Sequence, residues 1–472
     1  VLEIDDRITF GRSVIYTDVE EITRDNVAEV LDEALETHEK NREDIQYLYD
    51  VYRGKMDILQ RQKTYNTEIT NKTVVNYPYR IVNFKTGYEL GKPIQYTFRD
   101  GRQTDSNIDE LLRFNDFMQQ CGKHTEDISL WEWICIAGVG YRFTGYEDST
   151  DPLDTPMYIT APDPRFTFVV YDRTLKRNQK MCCTFSEDED GDAVYHVYTD
   201  NAYYKIIDGE VVEEESYYGV IQPIVEYKFN NAYLGAFEVV LSLVNAICRV
   251  SSNRVDGVEQ FIQALMMFKG VNIESGDYKA LREEGAIVVP PDGDIKYLIS
   301  ELNQEQTQTL LDSMYDEMME IVGLPRRRAG GLGGGDNGIA VVYRDGWEEA
   351  ESHAQGDETM FKKSEQRFLR LACGICNDAR GTHLRAEDIQ TNFTRRNYEN
   401  LINKAEAFST LIATEWVDPS LLFNQFGMFP DPELAYKLSK RYHDSLIEDE
   451  VKSLAIEDED AEDRRTEQAE SV

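Results

Sequence analysis

From Pro325 to Gly338 the chain reads Pro-Arg-Arg-Arg-Ala-Gly-Gly-Leu-Gly-Gly-Gly-Asp-Asn-Gly, and a glycine run of this kind can cradle phosphates. That chemistry needs a buried strand before the glycines, a lysine for the phosphates and a Ser or Thr hydroxyl for magnesium. Here a helical pattern precedes the loop, and neither Lys-Ser nor Lys-Thr follows it. A dinucleotide fingerprint fails for want of the same preceding strand. Gly330, Gly331, Gly333, Gly334 and Gly335 therefore predict a mechanical element, a mobile segment between two long helices.

Other residues capable of chemistry are no better assembled. Cys373-Gly374-Ile375-Cys376 matches C-x-x-C, but a zinc site wants four ligands and there is no second pair or neighbouring histidine. With Cys121, Cys135, Cys182, Cys183 and Cys248 the cysteines number seven, the pattern of free, mostly buried thiols in a reducing compartment. His38, His124, His196, His353, His383 and His443 are scattered, with no HExxH spacing. The sequence thus nominates no catalytic residue, metal site or cofactor.

Eighty-eight acidic against 50 basic residues give a net charge of −38, which opposes tight static binding to nucleic acid or to an anionic membrane surface. Such charge serves solubility, or a surface that repels polyanions. Hydrophobic residues at 41% and aromatics at 11% are those of a folded protein, and 472 residues suffice for two to four domains. No run of about 18 apolar residues is present, so no membrane span is expected.

The elements that must position these residues follow from periodicity. Residues 18–50 read as an acidic helix with Thr23 as N-cap and an apolar stripe of Val27, Val30, Leu31, Ala34 and Leu35. Residues 106–136 read as helical. From Gly138 to Phe229, Tyr, Val, Thr and Phe alternate with polar residues between turns at Asp163-Pro164, Asp190-Gly191 and Asp208-Gly209, which is antiparallel sheet. Phe237, Leu241, Val244, Cys248, Val255, Val258, Ile262 and Leu265 then recur by fours and threes, interrupted only by Ser251, and predict a helix from Val239 to Phe268. Gly285–Val289 and Ile295–Leu298 read as two strands. A returning helix carries Leu311, Met314, Met318, Ile321 and Val322, with Glu305, Asp312, Asp316 and Glu320 as a separate acidic stripe, and Gly323 and Pro325 end it. After the loop, Trp347, Ala350, Ala354, Phe361, Phe368, Leu371 and Ile375 mark another long helix, which Gly356 could bend. The last hundred residues read as helical up to an acidic tail, 448–472, expected to be disordered.

This layout, a sheet domain, a helix out, a small β insertion, a helix back, a glycine loop and a helix, resembles the portal proteins of tailed bacteriophages, in the branch typified by a long-tailed phage of Bacillus. Local motifs carry the resemblance over roughly residues 45–430. Tyr52-Arg53-Gly54 with Ile58 is similar to the family's early segment. Asn71, Asn76 and Tyr77 precede Ile81-Val82 and the block Thr86-Gly87-Tyr88-Glu89-Leu90-Gly91-Lys92-Pro93-Ile94. Ala161-Pro162-Asp163-Pro164-Arg165 with Phe168 and Tyr171-Asp172, then Pro223-Ile224-Val225 with Asn230-Asn231, follow in the family's order. Ser251 and Asn253 lie on the outgoing helix, and Asn337-Gly338-Ile339-Ala340 follows the glycine loop.

The resemblance implies an α+β, helix-dominated subunit: a wing over 1–238, a stem helix over 239–270, a clip over 271–300 and a returning stem helix over 301–323. A tunnel loop over 324–346, a long wing helix over 347–400 and a crown over 401–447 complete it. It implies a homo-oligomeric ring, usually of twelve subunits, at one capsid vertex of the virion, assembled in the host bacterial cytoplasm. Double-stranded DNA would enter and leave through it. The terminase packaging motor, the head–tail adaptor and the major capsid or scaffold protein are the implied partners, with no membrane and no cofactor.

In such a ring an acidic bore would centre a duplex without holding it, whereas a basic one would stall it. Glu305, Asp312, Asp316 and Glu320 are the candidates to face the bore; the alternative is the outer face of the stem. Arg326, Arg327 and Arg328 would form a basic collar touching phosphates, or else complement the negative end of the helix before them. Two other functions remain open. A capsid or scaffold protein would lack the paired helices around an insertion or the sheet. A nucleotide- or metal-dependent hydrolase would need a lysine, metal triad or nucleophile–base pair.

Overall fold

The computed structural model describes residues 11–64, 67–99, 107–149, 151–188, 191–217, 221–262, 265–269, 294–298, 304–325, 346–395, 401–414, 417–426 and 435–446. Helix α1 (Val27–Tyr52) starts later than expected, with Asn26 rather than Thr23 at its N-cap. The reason is local. The Asn26 side chain accepts from Thr23 N at 2.8 Å and donates to Glu21 O at 3.0 Å, which folds residues 21–26 into a turn before the helix.

The block expected to be one sheet forms two. The larger joins β1 (Ile15–Thr17), β5 (Thr167–Asp172), β6 (Gln179–Glu187), β7 (Ala193–Tyr198), β8 (Ala202–Ile207) and β9 (Glu210–Ser216), in that spatial order. Only β1–β5 is parallel. The smaller has the order β10 (Ile224–Lys228), β3 (Val139–Tyr146), β4 (Met157–Thr160). Helix α1 lays Val27, Val30, Leu31 and Ala34 on Phe168, Val170, Met181, Cys183, Val197, Tyr204 and Ile206 of the larger sheet. Ile45, Val139, Tyr141, Val169, Cys182 and Ile224 form a second core that ties the sheets together.

The main core is helical. It gathers α2 (Tyr77–Glu89), α3 (Ile108–Gln120) and α4 (Lys123–Ala137) around the smaller sheet, beside a short pair of β2 (Gln95–Phe98) and β13 (Ile389–Asn392). The helical reading of 106–136 is broken once, at Gly122, whose φ of 66° stops α3 from running on. Gly138 ends α4 at φ 76°, and a Cβ there would lie 2.1 Å from Tyr233 O, so only glycine lets that loop close on the helix end.

Helix α5 (Leu241–Ile262) leaves this core, and α6 (Gln304–Ile321) returns to it. The outgoing helix is shorter than expected: Leu265–Lys269 is strand β11, paired antiparallel with β12 (Asp294–Leu298). A four-residue apolar run such as Leu265-Met266-Met267-Phe268 has no period that separates helix from strand. The strand expected at 285–289 lies outside the described residues; the one expected at 295–298 is β12. Helix α7 (Trp347–Arg380) runs about 51 Å at 1.5 Å per residue and buries Ala350, Ala354, Phe361, Phe368, Leu371 and Ile375. It stops at Gly381, short of the residue 400 expected. Helices α8 (Leu401–Ile412), α9 (Pro419–Phe426) and α10 (435–446) follow, and the acidic tail lies outside the described residues.

Candidate functional site: the paired helices and their anchors

The predicted seam of α5 holds only in its first half. Phe237, Val244 and Cys248 are buried, but Val255 and Val258 face outward, and Ser252 and Asp256 are buried in their place. The cause is a segment that the periodicity does not reveal. Residues 57–64 and 67–75 run beside α5, and their polar groups need partners. Asn245 Nδ2 donates to Asp57 Oδ2 at 2.8 Å, Ser252 Oγ accepts from Thr73 N at 2.9 Å, and Cys248 Sγ accepts from Val75 N at 3.4 Å.

Asp256 is the hub of that contact. Its Oδ1 accepts from Asn71 N at 2.8 Å and from Asn71 Nδ2 at 2.9 Å, while Oδ2 lies 3.0 Å from Arg61 Nη2 and also contacts Lys63 Nζ. Arg61 also donates to Asn253 Oδ1 and, at 2.9 Å, to Asn71 O. Burial disfavours the Asp256 carboxylate, but the hydrogen bonds from Lys63 and Asn71 and the charge of Arg61 outweigh it and hold its pKa below the ordinary value. Asn71 and Asn253, noticed in the sequence as motif residues, thus hold the root of the outgoing helix. Asp256 was overlooked: it lies one residue off the apolar seam, beside Val255, and nothing in the spacing marks it.

Helices α5 and α6 pack antiparallel: Arg254 Nη1 donates to Gln308 Oε1 at 2.5 Å, while Val322 and Met318 pack in the same core as Val240 and Val244. At about 100° per residue, α6 divides into three sectors. Leu311, Tyr315, Met318, Met319 and Val322 face the core; Glu305, Asp312, Asp316 and Glu320 form a second sector; the exposed Leu310 and Ile321, with Glu317 beside Leu310, form a third. Glu305, Asp312 and Glu320 are exposed and Asp316 is half-buried. Asp312 accepts from Gln308 Nε2 at 2.7 Å. Arg326, Arg327 and Arg328 and the loop glycines Gly330, Gly331, Gly333, Gly334 and Gly335 lie outside the described residues.

Helix α7 is fixed by charge as well as packing. Glu365 has no exposed surface. It accepts from Arg142 Nη1 and from Tyr227 at 2.6 Å each and from Tyr96 at 2.5 Å, with Lys123 Nζ 3.1 Å away. Arg142 and Lys123 both reach Asp127 as well. Burial opposes the Glu365 carboxylate, yet Arg142 and Lys123 prevail and lower its pKa. Nearer the N-terminus of α7, Arg395 bridges Glu89, Glu351 and Glu358 at 2.7–3.0 Å, and Lys85 pairs with Asp357 at 2.8 Å. All seven cysteines are free; Cys373 and Cys376 are buried thiols, which burial pushes up in pKa. Among the described residues, no His, Cys, Asp and Glu cluster has the makings of a metal site, and no helix is long and apolar enough to cross a membrane.

Charged groups here hold helices in place around a protruding pair, the economy of a structural subunit. The chain belongs to the phage portal proteins: the family described as "phage portal protein, SPP1 Gp6-like" matches residues 31–464, nearly all of it. It is accordingly a virion protein of the head–tail connector, in a family that is structural. No curated protein gives a significant match to the chain.

Proposed function

We propose that twelve copies close into a ring in which α5 and α6 form the stem and the residues between them the clip. DNA passes through the bore during packaging and ejection. The observation that supports this reading most is the three-sector surface of α6. The exposed aliphatic side chains of Leu310 and Ile321 suit contact with a neighbouring stem, as do Val255 and Val258 on α5. An acidic sector, Glu305, Asp312, Asp316 and Glu320, suits a bore that repels phosphates from every side. The core-facing sector, with the Asp256 hub, roots the stem in the wing.

The clip, at the far end of the stem, is the docking site for the terminase motor during filling and for the head–tail adaptor afterwards. The wing meets the capsid or scaffold protein. The glycine loop follows the duplex, and Arg326, Arg327 and Arg328 beside it touch phosphates in passing. Energy for translocation comes from the terminase partner. Electron microscopy of the purified protein tests this directly: rings with a central channel are expected, and a compact monomer at every concentration would overturn it.

A further inference from the structure

The six-stranded sheet carries opposite charges at two of its corners. Edge strand β9 pairs only with β8 among the described residues, so one row of its N–H and C=O groups faces outward. Its side chains are Glu210, Val211, Val212, Glu213, Glu214, Glu215 and Ser216, all exposed except Val211. Glu214 is held by Arg24 at 3.1 Å, and Glu213 lies opposite Lys205 in the ladder. Toward the other edge, the loop 173–178 joins β5 to β6 beside edge strand β1, and every residue of it is exposed. That loop places Arg173, Lys176 and Arg177 around Leu175, whose side chain is fully exposed. The guanidinium groups of Arg173 and Arg177 lie 5.6 and 5.9 Å from the Tyr16 ring, and Arg173 pairs with Asp18 at 2.8 Å. The loop is preformed: Asp172 accepts from Thr174 Oγ1 at 2.6 Å, Asn178 N at 3.0 Å and Asn178 Nδ2 at 2.8 Å.

The two corners lie at the same end of the sheet. Asp172 and Gln179 flank the basic loop; following the register through Cys182–Tyr198, Tyr198–Tyr203 and Tyr203–Glu215 leads from that end to the glutamates. Three strand spacings, about 14 Å, separate β6 from β9, and four, about 19 Å, separate β5 from it. Two patches of opposite charge held that far apart on one sheet cannot meet within it. They can meet between copies that follow one another head to tail, the arrangement that closes a ring. Each patch also carries one exposed aliphatic side chain, Leu175 on the basic loop and Val212 on the acidic edge. An apolar tip among cations fits a protein surface better than a phosphate chain.

We propose that the loop 173–178 of one subunit docks on the β9 edge of the next copy of this chain, so that Arg173, Lys176 and Arg177 face Glu213 and Glu215, and Leu175 packs beside Val212. The inference rests on the ring reading above and adds a wing contact to the stem contacts. Its natural effect is to hold the wings in register while the stems flank the duplex.

The test uses the full chain. Leu175→Cys combined with Val212→Cys, treated with a short bismaleimide after assembly, is expected to give a ladder of cross-linked oligomers. Either single variant and the parent, whose own cysteines are buried or half-buried, should give none. Arg173→Glu with Arg177→Glu is expected to raise the protein concentration needed for ring assembly about tenfold, and adding Glu213→Lys and Glu215→Lys should restore it. Rings that form normally but yield no ladder overturn this contact and leave the portal reading intact. Absence of rings from the parent protein overturns both. A charge reversal that leaves assembly unchanged but weakens duplex DNA retention by the ring overturns it in favour of a nucleic-acid contact.

Discussion

Glu365 on helix α7 and Arg142 on strand β3 meet at 2.6 Å with neither side chain in contact with solvent. The guanidinium carbon also lies over two rings, 4.5 Å from that of Phe368 and 4.8 Å from that of Tyr227. A pair so dry is weak evidence of net stability, because desolvation offsets attraction; breaking it is another matter. Arg142→Met leaves Glu365 and Asp127 to share the single charge of Lys123 and should cost about 3–5 kcal/mol in urea unfolding. Arg142→Met with Glu365→Leu should recover part of that loss. A single variant within about 0.5 kcal/mol of the parent contradicts the assignment of the pair as the anchor of α7.

Asp256 gives a local test at the root of the stem. Its pKa lies below the ordinary 3.8, so the bonds it makes stabilise the fold fully above that value and are lost as pH falls through the folded value. Asp256→Asn should cost about 2 kcal/mol at neutral pH. It should also flatten the acid limb of stability and speed hydrogen exchange at the Asn71 amide. Unchanged exchange there removes Asp256 as the hub.

His38 tests the wing. Its Nε2 lies 3.1 Å from Arg165 O, its ring 4.5 Å from Phe168, and burial lowers its pKa from 6.5 to about 4. Above pH 6.5 both folded and unfolded chains hold it neutral. As pH falls from 6.5 to about 4, the unfolded chain takes up the proton first and stability declines, by about 3 kcal/mol at most. His38→Gln should remove that slope from denaturation midpoints measured across this range. A slope that persists unchanged assigns it to other groups.

Much of this architecture is legible in residue order because it rests on local periods. The stripe of α1, the apolar face of α7 and the turn at Asp208-Gly209 each announce themselves within one element. What escapes is made by contacts between distant segments. Asp256 owes its burial to Asn71, 185 residues away, and Glu365 to Arg142, 223 away. The end of α5 escapes because Leu265–Phe268 suits either period, and only pairing with 294–298 decides it. The division of the sheet block likewise rests on distant pairing, β10 with β3 and β1 with β5.

The glycine loop invites a test of mechanics separate from assembly. Replacing Gly330, Gly331, Gly333, Gly334 and Gly335 with alanine narrows the backbone states open to the segment. Ring yield should be unchanged while DNA packaging falls. Normal virion yield from the five-fold variant contradicts a role for loop freedom.

The acidic sector of α6 carries the sharpest prediction. Glu305, Asp312, Asp316 and Glu320 lie about 115° around the helix from its core-facing residues, on the side away from Leu310 and Ile321. If Leu310 and Ile321 meet a neighbouring stem, the acids look into the bore, and the copies around it make rings of negative charge stacked along it. Each Lys placed there would then convert repulsion into a phosphate contact, multiplied by the copies in the ring, since affinity grows with every neutralised phosphate and falls steeply with salt. Asp312→Lys with Asp316→Lys should therefore slow DNA passage at low salt and recover speed as salt rises. Reversing Leu310 to Lys should instead impair ring assembly. Packaging rates that ignore both charge and salt at 312 and 316 place the acids on the outside of the stem.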